Sequence, residues 1–193
     1  MTISARSPEL MNADDTALLI VDVQEKLLPA IEHPQLVHWN IGRLLQAADA
    51  FNVSMAVTEQ YPNGLGKTVD FGIALPENAE EKMMFSCREV GTIFSRWSQA
   101  GIRKILICGI ETHVCIQQTA LDLLAEGFRL YLATDAMGAR HTHDHQIALR
   151  RMESSGAVLT TTEAALFEWC ETAEADAFKT ISGLVRQDAP TSS

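Results

Sequence analysis

Short apolar runs rich in branched residues alternate along this chain with longer stretches patterned for helices. Three runs stand out: "TALLIVDV" (16–23), "VSMAVTE" (53–59) and "RKILICGI" (103–110). Each is too short for a buried helix, and each is apolar almost throughout. That pattern marks a strand covered on both faces, which is the condition of a parallel sheet. "FRLYLATDA" (128–136) and "AVLTT" (157–161) continue the series, and "EKMMFS" (81–86) adds a sixth strand. Between the runs the period changes to that of a helix. Val37, Ile41, Leu44, Leu45 and Ala48 form one apolar stripe over 36–50. Ile116, Ala120, Leu123 and Leu124 form another over 112–126, and Gly127 supplies the stop. "HDHQIALRRMESSG" and "TTEAALFEWC" read as two more helices. Strand alternating with helix predicts an α/β fold: a three-layer α/β/α, doubly wound, mostly parallel six-stranded sheet.

The 193 residues suffice for one domain, with a core over about 16–170 and a fraying tail, "GLVRQDAPTSS". Segment 59–82 has two prolines, three glycines and little periodicity. A loop of that length in a compact domain is functional or mobile.

The formal net charge of −10 argues against nucleic acid and anionic membrane as partners, since both demand a basic surface. No apolar run approaches the roughly 20 residues needed to cross a bilayer. The N-terminal "MTISARSPELMNADD" lacks the apolar centre of a signal peptide. Cys87, Cys108, Cys115 and Cys170 show no CxxC spacing. Reduced thiols in a cytoplasmic protein are the expectation.

Ligands of open parallel sheets bind at the carboxyl ends of the strands. Asp22 closes the first strand, Lys82 lies on or beside the 81–86 strand, and Cys115 follows the 103–110 strand within the first helical turn. Helix-start amides and a nearby ammonium are expected to stabilise a Cys115 thiolate, and an aspartate can shuttle a proton. The three residue types together make an acyl-transfer set. The plainer alternative makes Cys115 a helix filler, Lys82 a solvated charge and Asp22 a cap.

A resemblance separates these readings. The motifs "ALLIVDVQEKLLPAI", "VTEQYPNGLGKTV", "EKMMFSC", "GIETHVCIQQTALDLLAEG" and "ATDAMGARHTHDH" resemble the isochorismatase-like (cysteine hydrolase) superfamily from about Thr16 to Trp169. The similarity is greatest to the isochorismatase-domain-containing proteins, through "TEQYPxGLG" and "LTTxEAxLF". The resemblance implies an Asp22–Lys82–Cys115 triad. It also implies a cis Ile110–Glu111 peptide and an oxyanion hole of the Glu111 and Cys115 amides. It further implies a small-molecule substrate, a homo-oligomer and a pocket shaped by Gln60, Tyr61 and Thr112. Nicotinamidases of the superfamily hold a metal through a D-W-H-P-x-x-H stretch. Gln60 and Tyr61 stand there in this chain and no histidine does, so neither metal nor cofactor is expected. Isochorismatases proper lack the cysteine, which argues against isochorismate as substrate.

The expected activity is hydrolysis of a small amide or related C–N bond through a covalent thioester. The rival is a binding or redox-responsive protein that retains a reactive thiol without turnover. A dinucleotide-binding reading fails because no G-x-G-x-x-G follows the first strand. "RHTHDH" (140–145) reads as a solvated helix start capped by Thr142 or Asp144 rather than a metal site of His141 and His145. Cys108 and Cys170 read as core, Cys87 either as core or as approaching the pocket, Asp135 as structural and Thr112 as a helix N-cap. His113 is two residues from Cys115, and so faces away from it on a helix.

Overall fold

The structure is a computed structural model, and it describes residues 5–76 and 78–191. Its centre is a sheet of β1 (Thr16–Val21), β2 (Ser54–Gln60), β3 (Glu80–Lys82), β4 (Lys104–Ile110), β5 (Arg129–Gly138) and β6 (Val158–Thr160). The spatial order is β3-β2-β1-β4-β5-β6, and every strand pair is parallel. The predicted architecture is the observed one.

Alternation along the strands explains the three layers. Leu18, Ile20, Leu106, Cys108, Tyr131 and Ala133 face one cluster, while Leu19, Val21, Ile105, Ile107, Leu130 and Leu132 face the other. The first face is covered by α1 (Pro34–Ala50), α6 (Thr162–Cys170) and α7 (Phe178–Val185). The second is covered by α3 (Thr92–Gln99), α4 (Gln117–Ala125) and α5 (Thr142–Ser154). Crossovers of one hand put α1 on one face and α4 and α5 on the other, because the strand order runs leftward from β1 and then rightward from β4. The direction reverses between β1 and β4, so their carboxyl ends frame the crevice where such sheets bind ligands.

Several expectations change in detail. The 81–86 strand stops at Lys82. Beyond it the backbone turns about the Lys82 ammonium, which takes the Met84 and Phe85 carbonyls, and the Glu89 carboxylate takes the Met83 and Met84 amides. The 59–71 part of segment 59–82 is anchored. It contains the short helix α2 (Pro62–Leu65), a bridge between Gln24 and Thr68, and a buried Phe71. Glu59, itself buried, accepts from the Thr68 amide and hydroxyl and from Lys67. The expected tail begins inside α7, where Leu184 is buried, and Met11 and Ile181 extend the core beyond 16–170. Ser192 and Ser193 lie outside the described residues. The helix α3, absent from the expected set, buries Ile93, Phe94 and Trp97.

Candidate active site

At the carboxyl end of β1 the chain leaves the sheet through Asp22, whose φ is 52°. Aspartate tolerates this left-handed conformation better than most residues. The Asp22 amide donates to the Thr58 carbonyl across the sheet at 3.2 Å. The carboxylate is fully buried, and both of its oxygens are engaged. Thr58 donates its hydroxyl to Oδ1 at 2.7 Å, and Lys82 donates to Oδ2 at 2.6 Å.

Lys82 is 2% exposed. Besides Asp22 its Nζ reaches the Gln60 Oε1 at 2.8 Å and the Phe85 and Met84 carbonyls at 3.0 and 3.3 Å. Burial works against its charge, but the Asp22 carboxylate and the Cys87 and Cys115 sulfurs outweigh that, and its pKa is raised. Such a pair is maintained only by full hydrogen bonding of both members, which this ring of acceptors supplies.

Beyond β4 the Ile110–Glu111 peptide is cis, as the resemblance implied. One π-helical turn, Thr112–Ile116, then leads into α4. Cys115 therefore sits in a π-turn, with its thiol against the Asp22 carboxylate and within the field of Lys82. It is 5% exposed. Burial pushes its thiol pKa up, the Asp22 carboxylate adds to that, and Lys82 opposes it. These influences run against the lowered thiol pKa that the helix start and the ammonium led one to expect.

The structure brings Asp22, Lys82 and Cys115 together, and Thr58 and Gln60 join them. Gln60 was expected to line the pocket. Its Oε1 accepts from Lys82 and its Nε2 donates to the Met83 carbonyl, while its backbone N–H donates to Gln24 Oε1. Tyr61 is exposed beside the site, in a left-handed conformation at φ 38°. Thr112 is not an N-cap; Glu111 occupies that position without a side-chain cap. The Thr112 hydroxyl donates to the Gly138 carbonyl at 3.0 Å and meets His145 Nδ1 at 2.9 Å. Thr112 has one hydroxyl proton and gives it to Gly138, so a neutral His145 carries its own proton on Nδ1. Glu111 is held by Arg140 at 2.9 Å.

The α5 start is capped differently from the expectation. His141 is the N-cap residue with no side-chain bond, and Thr142 bonds Glu32. His141 and His143 are exposed and His145 is half-buried, so the three do not converge. Among the described residues no three His, Cys, Asp or Glu side chains are grouped to hold a metal ion. Asp135 caps α6 through the Thr162 amide and hydroxyl. Cys108 and Cys170 are buried, and all four cysteines are free. No described helix is long and apolar enough to cross a membrane. Thr58 is the group at the site that residue spacing did not reveal, a hydroxyl-bearing residue near a strand's carboxyl end being the available signal; Cys87, whose place the sequence left open, borders Thr58.

Known proteins resemble this chain in sequence and fold. The isochorismatase domain matches residues 16–164. Isochorismatase domain-containing protein 2 of Danio rerio is 36% identical over 180 residues, covering 93% of this chain and 91% of that protein. Isochorismatase domain-containing protein 1 of Salmo salar is 36% identical over 178 residues, covering 92% of this chain but only 63% of that protein's length. The structure of MAR1 ribonuclease from Caenorhabditis elegans superimposes with a TM-score of 0.87 at 32% identity, covering 94% of this chain and 95% of that one. YcaC of Escherichia coli, an octameric hydrolase, shares the fold with a TM-score of 0.78 at 23% identity, covering 93% of this chain and 91% of that one. Sequence and fold point the same way, and the chain belongs to the isochorismatase family.

Proposed function

We propose that this chain is a cysteine-dependent hydrolase of a small amide or related C–N substrate. The observation that carries the reading is the Asp22 carboxylate, set between the Lys82 ammonium at 2.6 Å and the Cys115 thiol at the sheet's switch point. Because burial and the Asp22 carboxylate hold the Cys115 pKa up, attack and deprotonation are coupled. Asp22 accepts the Cys115 proton as Sγ bonds to the carbonyl carbon. The negative charge building at the carbonyl oxygen is taken by the Glu111 and Cys115 amides. Asp22 returns the proton to the leaving amine as the C–N bond breaks. Water then attacks the thioester, giving its proton to Asp22, and the thiol is restored. Lys82 stabilises the negative charge as it moves between carboxylate and sulfur.

The shallow exposure of Cys115 favours a small substrate over a polymer. The ribonuclease activity named for the Caenorhabditis elegans neighbour belongs to that protein; the net charge of −10 here opposes a polyanion. Four free thiols fit a cytoplasmic protein. We also read the chain as a homo-oligomer, since Tyr61, Met83, Met84 and Phe85 expose an apolar patch beside the site.

The test is a panel of small amides and an RNA oligonucleotide, read by acid-quenched mass spectrometry. The expected result is an acyl group on Cys115 with amine release, abolished by Cys115→Ala, and an intact RNA. Amine release undiminished in Cys115→Ala, or RNA cleavage without acylation, refutes the reading.

A further inference from the structure

The triad does not use every reactive group at the site. Cys87 is wholly buried, with its sulfur 3.8 Å from the Thr58 Oγ1. Thr58 gives its own hydroxyl proton to Asp22 Oδ1 at 2.7 Å. The Cys87 thiol is thus the donor and Thr58 the acceptor in the first link. The result is a directed chain from Cys87 through Thr58 to the carboxylate that Cys115 also faces.

A second contact places Cys87 beside the nucleophile's helix. Its amide donates to Thr119 Oγ1 at 2.9 Å. Thr119 is one turn beyond Cys115, on the same helical face. Lys82 and Asp22 act electrostatically on both thiols, and Cys87 adds to the rise at Cys115. Burial, with Asp22 adding to it, raises the Cys87 thiol to about 11, so it stays protonated unless a base takes its proton.

We propose that Cys87 and Cys115 form a two-thiol redox site, in which a small hydroperoxide oxidises Cys115 and Cys87 closes a disulfide with it. The order follows from burial. Cys115 is 5% exposed, whereas Cys87 is 0% exposed and meets no solvent-borne oxidant. The Cys115 sulfur attacks one peroxide oxygen as its proton moves to Asp22. The O–O bond breaks, and the departing oxygen takes that proton as water or an alcohol. Cys115 is now a sulfenic acid. The Cys87 sulfur then attacks the Cys115 sulfur, and the S–O bond breaks. The Cys87 proton passes through Thr58 to Asp22 and leaves with the oxygen as water. Two thiols have been oxidised by two electrons and one peroxide reduced. A small dithiol reverses the bond by exchange. Resolution by Cys87 spares Cys115 from sulfinic acid, which is irreversible.

The inference rests on the reading of Cys115 as a reactive sulfur, and the experiment separates the two. Purified protein is treated with equimolar hydrogen peroxide, quenched with N-ethylmaleimide in denaturant, and mapped by peptide mass spectrometry. The expected product is a Cys87–Cys115 linked peptide that dithiothreitol reverses. Cys87→Ala and Cys87→Ser, each checked for folding by circular dichroism, are expected to accumulate dimedone-reactive sulfenic acid and then sulfinic acid at Cys115. In folded Thr58→Val, which keeps both thiols, slower linkage with more sulfinic acid is expected. Cys115 reaching sulfinic acid as fast in the wild type as in Cys87→Ala, with no linked peptide, overturns the proposal. So does a Cys115 that peroxide leaves untouched. A Cys115 that is acylated by amides but never linked to Cys87 sinks the redox site alone; one that is linked but never acylated sinks the hydrolase alone.

Discussion

Asp22 carries opposing demands in one side chain. Its left-handed backbone costs of order 1–3 kcal/mol, and it persists because the sheet on either side and the Thr58 carbonyl hold it. Its carboxylate anchors Lys82 and at the same time raises the Cys115 pKa. Asp22→Asn is therefore expected to have two effects of opposite direction. Turnover of whichever amide acylates Cys115 falls about 10²–10⁴-fold, since the proton carrier is gone. Alkylation of Cys115 by iodoacetamide at neutral pH speeds up, because a charge that disfavoured the thiolate has been removed. Labelling unchanged or slowed in the folded variant would place the carboxylate beyond reach of the sulfur. His145 gives a pH dependence. Burial lowers its pKa from 6.5, with Glu32 opposing weakly, so the folded state binds fewer protons than the unfolded state. Its stability contribution is complete above the unfolded pKa and is lost as pH falls below it. Urea midpoints at pH 7.5 and pH 5.5 are expected to converge in His145→Gln relative to wild type; an unchanged difference would remove His145 as a cause.

Among the elements, the β1–β4 contact decides where the site is. Gly109 in β4 has φ +120°, and a Cβ there would lie 2.1 Å from the Val21 carbonyl oxygen. Only glycine lets the two strands meet at the point where the sheet changes direction, with a register shift between Ile107 and Gly109 along β5. Gly183 in α7 has nothing within 4 Å of its would-be Cβ. Gly109→Ala is expected to destabilise by at least about 1–3 kcal/mol, whereas Gly183→Ala should stabilise by roughly 0.5–1 kcal/mol. Chemical denaturation checks both, and similar midpoints for the two variants would contradict the assigned packing. The elements themselves were largely readable because strand and helix periods are local. The 81–86 strand was overextended because its apolar Met83, Met84 and Phe85 have the composition of a strand. The ammonium that draws their carbonyls inward is held by Asp22, far away in sequence.

For the whole molecule, the exposed Tyr61, Met83, Met84 and Phe85 matter most. They lie together at the β3 edge because Lys82 ties its following residues to the site. Size-exclusion chromatography with light scattering is expected to give a multiple of 21.2 kDa, and Phe85→Asp with Met83→Asp should reduce it. A monomer at micromolar concentration would refute the oligomer reading. The net charge of −10 keeps the rest of the surface from associating unspecifically.

The sequence by itself determined the alternation of strand and helix, hence the layered parallel sheet, and it put Asp22, Lys82 and Cys115 at strand ends. Those are consequences of period and of motif, and both are local in the chain. Only the tertiary structure decided the state of the groups. Cys115 was expected to have a lowered pKa from its helix start and a nearby lysine, yet packing removes it from water and sets a carboxylate against it, and both push its pKa up. Gln60 became a partner of Lys82, and Thr58 with Cys87 joined the site, because strands distant in sequence lie side by side in the sheet. Desolvation and hydrogen-bond pairing depend on neighbours that long-range contacts supply, and a pattern along the chain does not contain them.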